Sequence, residues 1–161
     1  MSNNQEGRIA PDFSLTDKTG ARYTLAQFDT PWVVVFFYPK DDTPGCTVEA
    51  KSFSDSLEEF AKRGATIIGI SGGTDATKAK FCKKSNLDVL LLSDTDFSVA
   101  KSYQVFGPKK FMGRSYEGIS RETFLLGARN EKGERAIVKH FSKVTPASHV
   151  EEVLGLVGKR G

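Results

Sequence analysis

The longest apolar run of the chain is Trp32-Val-Val-Val-Phe-Phe-Tyr38. Its β-branched and aromatic residues follow one another without a polar interruption, which is typical of a strand buried on both faces of a sheet. Pro39 ends the run, because proline lacks the N–H that a central strand needs. The polar segment 40–45 follows, and Pro44 stiffens it. We therefore predict a central strand whose carboxyl end opens into a polar loop.

Strands and helices alternate on both sides of this run. Short strands are predicted at 12–15 and 20–24 before it. The elements predicted after it are a helix from about 46 to a stop at Gly64, a strand at 65–70, a helix at 75–86, a strand at 89–92, a helix at 97–103, antiparallel strands at 121–126 and 136–140 joined by a turn at 129–134, and a last helix opened by Pro146.

This order predicts an α/β fold with a central mixed β-sheet flanked by helices. It is compatible with a thioredoxin-like core that carries a short N-terminal β extension. A length of 161 residues suits one domain. We expect that single domain to cover residues 1–161, with residues 1–7 flexible.

Composition narrows the classes of function. The chain is 39% hydrophobic and 27% charged, an ordinary globular balance. Its net charge of +3 comes from positive and negative residues that alternate, whereas nucleic-acid binding usually requires a basic stripe. No apolar run is long enough to span a bilayer, and the first seven residues do not resemble a signal peptide. We expect a cytoplasmic protein that binds neither nucleic acid nor membrane.

The chain has two cysteines, Cys46 and Cys82, and two histidines, His140 and His149. The histidines are not at ligand spacing with either cysteine, so no metal site is expected, and no motif indicates a cofactor. A redox pair or a catalytic thiol remains.

The setting of Cys46 favours a reactive thiolate. The residue falls in the first turn of a predicted helix, where free N–H groups and the helix dipole stabilise an anion. Thr43 and Thr47 offer hydroxyls to the sulfur or to its substrate. Arg121, at the start of a predicted strand, is the best placed cation. The alternative is a buried small hydrophobic residue, for which this polar, loop-like setting is poor material.

The segment Phe37-Tyr-Pro-Lys-Asp-Asp-Thr-Pro-Gly-Cys-Thr-Val-Glu49 resembles the active-site signature of the peroxiredoxins. The similarity is greatest to the peroxiredoxin Q branch, also called bacterioferritin comigratory protein. The family pattern Pro-x-x-x-Thr-x-x-Cys falls on Pro39, Thr43 and Cys46. Further similar stretches follow in order along nearly the whole chain, at 10–15, 91–94, 105–107 and 120–125.

The resemblance implies a thiol-dependent peroxidase for hydrogen peroxide and organic hydroperoxides, with an antioxidant role. Cys46 is then the peroxidatic residue, whose thiolate is oxidised to sulfenic acid. Arg121 and Thr43 stabilise the charge that moves to the leaving oxygen, and Pro39 shields the thiolate from water. Glu49 either orients Arg121 through an ion pair or is an ordinary solvated acid of the first helical turn.

The resemblance also indicates how the sulfenic acid is reduced. Many members of the branch carry a second cysteine four residues after the first, where this chain has Ala50. Others carry it on the next helix, at a position that Cys82 matches. The resemblance therefore implies an intramolecular disulfide between Cys46 and Cys82, reduced by thioredoxin or a glutaredoxin-like donor. In the alternative, Cys82 is a spectator and an outside thiol resolves Cys46.

Cysteines on adjacent helices are not expected within the roughly 4.4–6.8 Å that a disulfide requires between Cα atoms, so local unwinding is predicted. Gly45 and the pair 72–73 are plausible hinges. The lysines of the second helix either stabilise a Cys82 thiolate and guide an acidic thioredoxin or form a solvated face. They are Lys78, Lys80, Lys83 and Lys84. We expect a monomer, as is common in the branch.

Other functions have weaker support. A thiol–disulfide oxidoreductase normally carries Cys-x-x-Cys, which is missing. A cysteine hydrolase needs a histidine base beside Cys46, and only His140 or His149 could provide it. A phosphate-binding loop at 71–74 lacks the usual Gly-Lys-Ser/Thr ending and is better explained as a strand-to-helix turn. A non-catalytic binding domain leaves the set of Thr43, Cys46 and Arg121 unexplained.

Overall fold

A computed structural model describes residues 4–157, without the side chain of Phe111. Nine strands and five helices lie within these residues. They are β1 Ser14–Thr16, β2 Arg22–Thr24, β3 Trp32–Phe37, α1 Pro44–Asp55, α2 Leu57–Lys62, β4 Ala65–Ser71, α3 Asp75–Ser85, β5 Leu90–Ser93, α4 Ser98–Ser102, β6 Phe106–Phe111, β7 Arg114–Ile119, β8 Glu122–Arg129, β9 Arg135–Phe141 and α5 His149–Leu156.

Seven strands form one mixed sheet in the order β2-β1-β5-β4-β3-β8-β9. The neighbours β3, β4 and β5 are parallel, while β1 is antiparallel to β5 and β8 is antiparallel to β3 and β9. The predicted α/β fold with a mixed sheet is confirmed.

The predicted burial of β3 on both faces is also confirmed. Val33, Val35 and Phe37 point into the hydrophobic core on one side of the sheet. Val34 and Phe36 point into the core on the other side. All five are 0% exposed. The alternation follows from strand geometry, in which successive side chains leave opposite faces.

The helix after the polar loop differs from its prediction. It was predicted as one element ending at Gly64, but α1 ends at Asp55 and α2 begins at Leu57. At Ser56 the backbone leaves helical geometry (ψ 5°), and its N–H bonds to the Phe53 carbonyl, three residues back. The spacing of the apolar residues continues across this break, so hydrophobic periodicity alone does not reveal it.

A hairpin was not predicted. β6 and β7 pair antiparallel outside the main sheet. Met112 and Gly113 form the turn with φ of +51° and +79°, the left-handed pair that two-residue hairpins favour. The first four residues of β7 are exposed, so the strand lacks the alternation by which strands are recognised.

The described start of the chain, within the stretch 1–7 that was expected to be flexible, makes contacts with the rest of the fold. Gln5 is 1% exposed, and its Nε2 donates to the Tyr103 carbonyl at 2.7 Å. The Gly7 N–H donates to the Ile137 carbonyl of the edge strand β9 at 2.8 Å. The second bond satisfies an edge group that would otherwise be unpaired. Residues 1–3 lie outside the described range.

Every helix within residues 4–157 falls short of the length and apolarity that are needed to cross a membrane.

Candidate active site

The register of two strands builds the site. β3 and β8 are antiparallel neighbours in which Phe37 lies opposite Glu122. The chain leaves β3 into the loop before α1 at the same edge where it enters β8. Arg121, the residue before β8, is thereby placed next to the first turn of α1.

Cys46 lies in that first turn. Thr43 is the N-cap, with extended backbone (φ −104°, ψ 155°), and Pro44 takes the first helical position. The first intrahelical bond runs from the Thr47 N–H to the Thr43 carbonyl at 2.8 Å. The N–H of Cys46 precedes it and therefore has no carbonyl partner of the helix. Cys46 is 1% exposed as a residue, and both cysteines are free thiols.

Arg121 contacts the sulfur directly. Its Nη2 donates to Cys46 Sγ at 3.3 Å. Gly45 makes room for this approach, since a Cβ at that position would lie 3.0 Å from Nη2. Burial works against the charged guanidinium, but a Cys46 thiolate and Glu49 outweigh it, so the pKa of Arg121 lies above its ordinary value. Arg121 is therefore a permanent cation at the sulfur.

Glu49 holds Arg121 from the other side. Arg121 Nη1 donates to Glu49 Oε1 at 2.9 Å. Glu49 is 0% exposed, so it is not a solvated glutamate of the first helical turn. Its Oε2 has no hydrogen-bond partner within residues 4–157. Burial raises the pKa of this carboxyl to about 7, although Arg121 acts to lower it.

The hydroxyls of the two threonines point to backbone rather than to sulfur. Thr43 Oγ1 donates to the Lys40 carbonyl at 3.1 Å, and Thr47 Oγ1 donates to the Thr43 carbonyl at 2.7 Å. Both bonds are local, so neither hydroxyl donates to the sulfur in this structure. Pro39 is half-buried two residues after the end of β3, in the loop that carries Thr43.

A second cation near the site was missed by sequence reasoning. Lys109 on β6 is half-buried and donates from Nζ to the Ile119 carbonyl at 2.7 Å, two residues before Arg121. Burial and the neighbouring Arg121 charge lower the pKa of Lys109, while a Cys46 thiolate and Glu122 act to raise it. Its place in the undetected hairpin explains why no sequence signal pointed to it.

Cys82 is buried in α3. It is 6% exposed and belongs to the same hydrophobic core as Cys46. Burial raises the pKa of the Cys82 thiol; Lys18 and Lys78 act to lower it, and Asp41 adds to the rise. The side chain also lines a cavity of about 170 Å³ at the surface. Cys82 is therefore a protonated thiol with limited access.

The prediction of an exposed basic face on α3 is wrong for Lys78. Lys80, Lys83 and Lys84 are exposed, but Lys78 is 0% exposed. It lies one turn before Cys82, on the face that packs against the sheet, and it is paired with Asp41 at 3.3 Å. The ion pair explains how a lysine is accommodated there.

Both histidines are engaged away from Cys46. His140 Nε2 lies 2.7 Å from Glu122 Oε1, and its Nδ1 accepts the Gln5 N–H at 3.3 Å. His149 Nε2 lies 2.8 Å from Thr123 Oγ1. Within residues 4–157 neither histidine contacts a cysteine, and no three His, Cys, Asp or Glu side chains converge as metal ligands. Neither His140 nor His149 is therefore placed as the base beside Cys46 that a cysteine hydrolase needs.

The segment 71–74 is the expected strand-to-helix turn. Thr74 caps α3, its Oγ1 accepting the Thr77 N–H at 3.1 Å. The Thr74 N–H in turn donates to Thr77 Oγ1 at 2.9 Å. These reciprocal bonds occupy the N–H groups of Thr74 and Thr77, which a bound phosphate would need as donors.

A thiol in the first turn of a helix lies at the end of the central strand, beside an arginine brought in by the neighbouring strand. This arrangement suits an enzyme that works through a reactive cysteine. Comparisons with known proteins specify the class. Residues 7–131 match the model of the AhpC/TSA family.

Relatives match over almost the full chain. A putative peroxiredoxin bcp of Helicobacter pylori is 38% identical, covering 96% of this chain and 98% of its own. Peroxiredoxin Bcp of Bacillus subtilis is 40% identical, covering 92% and 91%. The structure of the Xanthomonas campestris bacterioferritin comigratory protein has a TM-score of 0.82 at 36% identity, covering 91% and 89%. Xylella fastidiosa PrxQ has a TM-score of 0.85 at 30% identity, covering 96% of each chain.

The chain belongs to the AhpC/TSA family, and within it to the peroxiredoxins of the Bcp or PrxQ branch. It is accordingly a thiol peroxidase with a thioredoxin-like fold. The resemblance inferred from the segment around Cys46 is confirmed.

Proposed function

We propose that Cys46 reduces hydrogen peroxide and organic hydroperoxides and that Cys82 resolves the oxidised Cys46 within the same chain. The observation that carries the first part is the 3.3 Å contact from Arg121 Nη2 to Cys46 Sγ in the first turn of α1. The work on the Xanthomonas relative concerns its alkyl peroxide reduction activity, which supports organic hydroperoxides as substrates here.

The peroxide step needs charge stabilisation at two places. The Cys46 thiolate attacks one peroxide oxygen, the O–O bond breaks, and sulfur becomes a sulfenic acid. The other oxygen leaves with the electron pair and takes a proton to become water or an alcohol. Arg121 and the Cys46 N–H are donors for the developing negative charge. The Thr43 hydroxyl joins them once it leaves the Lys40 carbonyl. Glu49 fixes the guanidinium in place.

The resolving step joins the two cysteines. The Cys82 thiol loses its proton and attacks the Cys46 sulfenic acid, and the hydroxyl leaves as water when the disulfide forms. Its raised pKa keeps Cys82 protonated while it is buried, so Cys82 does not compete for peroxide. Two Xanthomonas PrxQ structures each carry a replacement of one of two cysteines, and these are separated along their chain by the same number of residues as Cys46 and Cys82.

The disulfide would then be reduced by a dithiol protein, either thioredoxin or a glutaredoxin-like donor. Lys80 and Lys83 are exposed beside Cys82, so a reductase with an acidic face is the complementary partner. The proposal includes a monomer that works in the cytoplasm. Light scattering of the reduced and oxidised protein tests the monomer.

Peroxide consumption tests the proposed chemistry. With a thioredoxin system present, the parent consumes hydrogen peroxide and cumene hydroperoxide, and Cys46→Ser is inactive. Cys82→Ser still reacts with one equivalent of peroxide but turns over at least tenfold more slowly. Mass spectrometry without reductant finds a Cys46–Cys82 disulfide in the parent. Turnover of Cys82→Ser at the parent rate would exclude the intramolecular step, and peroxide reduction by Cys46→Ser would exclude the site.

A further inference from the structure

The carboxylate of Asp41 is surrounded by donors from three parts of the chain. Tyr38 Oη and Ser71 Oγ donate to Oδ1 at 2.6 and 3.1 Å. Thr77 Oγ1 and Lys78 Nζ donate to Oδ2 at 2.8 and 3.3 Å. We name these five residues the Asp41 cluster. None of them was singled out for this role by the sequence pattern.

The charged pair at the centre of the cluster is buried and tightly packed. The side chains of Asp41 and Lys78 are 6% and 0% exposed. Lys78 Nζ also donates to Ser71 Oγ at 2.8 Å. Gly73 closes the packing, because a Cβ there would lie 2.2 Å from Asp41 Oδ2. A buried pair with this many hydrogen bonds is costly to open, since opening leaves an unpaired charge.

The cluster joins the two segments that carry the cysteines. Asp41 lies in the loop between β3 and α1, five residues before Cys46. Lys78 lies in the first turn of α3, four residues before Cys82. Ser71, the last residue of β4, fixes both to the sheet.

We propose that the Asp41 cluster stays closed during the resolving step and is the fixed point from which both cysteine segments unwind. This rests on the proposed function, in which Cys82 resolves Cys46. Asp41 and Lys78 are positioning residues, because they act by restricting where the two thiols can move and take no part in the exchange of electrons. Unwinding is then confined to the residues that follow Asp41 in the first segment and Lys78 in α3.

The length of the two tethers gives the expected size of the effect. With the cluster closed, nine residues in total separate the cysteines from their common anchor. Without it, the nearest fixed points are Tyr38, whose N–H bonds to the Ile70 carbonyl, and Asp75, whose carboxylate accepts from Thr16 Oγ1 and Ser93 Oγ of the sheet at 2.9 and 2.6 Å. The tethers then total fifteen residues. Because the probability of contact falls roughly as the −3/2 power of tether length, disulfide formation should slow about twofold.

Hydrogen exchange of the parent tests where unwinding stops. The Lys78 N–H bonds to the Thr74 carbonyl at 3.0 Å, and the Leu87 N–H bonds to the Cys82 carbonyl at 2.9 Å. Measured by NMR, the Leu87 amide should lose protection in the disulfide form while the Lys78 amide keeps it. Loss of protection at Lys78 on oxidation would overturn the proposal, even if the disulfide forms.

A charge-free double variant tests the tether. Asp41→Asn combined with Lys78→Met removes both charges and leaves neither ion unpaired. After one equivalent of hydrogen peroxide and without reductase, sulfenic acid should form at the parent rate and the disulfide about twofold more slowly. The matched control is Asp42→Asn with Lys84→Met, an exposed pair at 3.0 Å between the same two segments, which should match the parent in both steps.

The outcomes separate the two proposals. Disulfide formation at the parent rate in the folded Asp41/Lys78 variant would reject the anchor and leave the proposed function intact. A parent that forms no Cys46–Cys82 disulfide at all would reject the resolving role of Cys82. Equal slowing of both steps in the Asp41/Lys78 variant would indicate general distortion and also reject the anchor.

Discussion

Glu49 places a carboxylate in the interior, and its pKa of about 7 links stability to pH. Between about pH 4.5 and 7 the unfolded chain loses the proton before the folded chain does, so the free energy of unfolding falls as pH rises. Above pH 7 the full cost is present, on the order of 3 kcal/mol. Glu49→Gln removes this contribution.

Urea unfolding at pH 5 and pH 8 measures the effect of Glu49. The difference in unfolding free energy, variant minus parent, should become more positive by about 3 kcal/mol on going to pH 8. The control Glu58→Gln, at an exposed position of α2, should show no such change. A pH-independent difference for Glu49→Gln would mean that the carboxyl titrates normally in the folded protein.

At the scale of single residues, the sequence predicted which residues form the candidate site but not how their side chains are oriented. Cys46 and Arg121 follow from helix position and family pattern. The direction of a hydroxyl does not, because Thr47 has a carbonyl one turn back that competes with the sulfur. The burial of Glu49 depends on which face of α1 meets Arg121, and that contact is made by a residue distant in sequence.

The β6–β7 hairpin is attached to the segment that leads to Arg121. Two hydrogen bonds, both of 2.7 Å, close its base: Lys109 Nζ donates to the Ile119 carbonyl inside the hairpin, and the Ser120 N–H donates to the Val105 carbonyl just before it. Lys109→Met should lower the second-order rate constant for hydrogen peroxide about tenfold, because a charged hydrogen bond and a nearby positive charge are both lost.

Rapid mixing with peroxide checks this, and thermal unfolding verifies that the variant is folded. Lys110→Met is the matched control, since Lys110 is the next residue of β6 and is exposed. Equal rates for the two variants would show that the hairpin does not influence the site.

Elements with a buried face were predictable, and those without one were not. β3, β4 and β5 carry apolar runs, and α1, α3 and α5 have an apolar face that meets the sheet. β7 offers mostly exposed residues, so no apolar alternation indicated it. The break at Ser56 has no signature of composition, since serine is common inside helices as well as at their ends.

Arg135 connects distant parts of the whole molecule. It is 1% exposed and donates to the carbonyls of Gly127, Phe28 and Thr30 at 2.8–2.9 Å. Arg135→Leu should lower the free energy of unfolding by about 3 kcal/mol, because three buried carbonyls lose a charged donor. The rate of peroxide reduction at 25 °C should stay within about twofold of the parent, since Arg135 does not contact the site.

Chemical denaturation beside a peroxide assay separates these two effects. Arg129→Leu is the control, because Arg129 makes a single exposed bond to the Ala26 carbonyl at 3.1 Å. Its unfolding free energy should change by less than about 1 kcal/mol. A tenfold loss of peroxide reduction in folded Arg135→Leu would contradict the purely structural role.

The fold class could be predicted from the sequence, but the order of the strands in the sheet could not. Alternating elements indicate an α/β sheet, but no local pattern states that β8 rather than β5 lies beside β3. The pairing is decided by how two apolar faces of the finished sheet are covered. The Asp41 cluster depends on another part of the strand order, the pairing of β3 with β4, because its members meet only when β4 ends beside the loop after β3.

The register of β3 with β8 also determines the stage of folding at which the candidate site is complete. Cys46 and Arg121 are 75 residues apart and meet only through this long-range pairing, which is the kind of contact that forms late because loop closure must precede it. A growing chain that ends before β8 has the thiol without its arginine. During refolding, the return of peroxide reduction therefore reports when the sheet closes rather than when the helices form. In an unfinished chain, Cys46 encounters oxidants without Arg121 beside it.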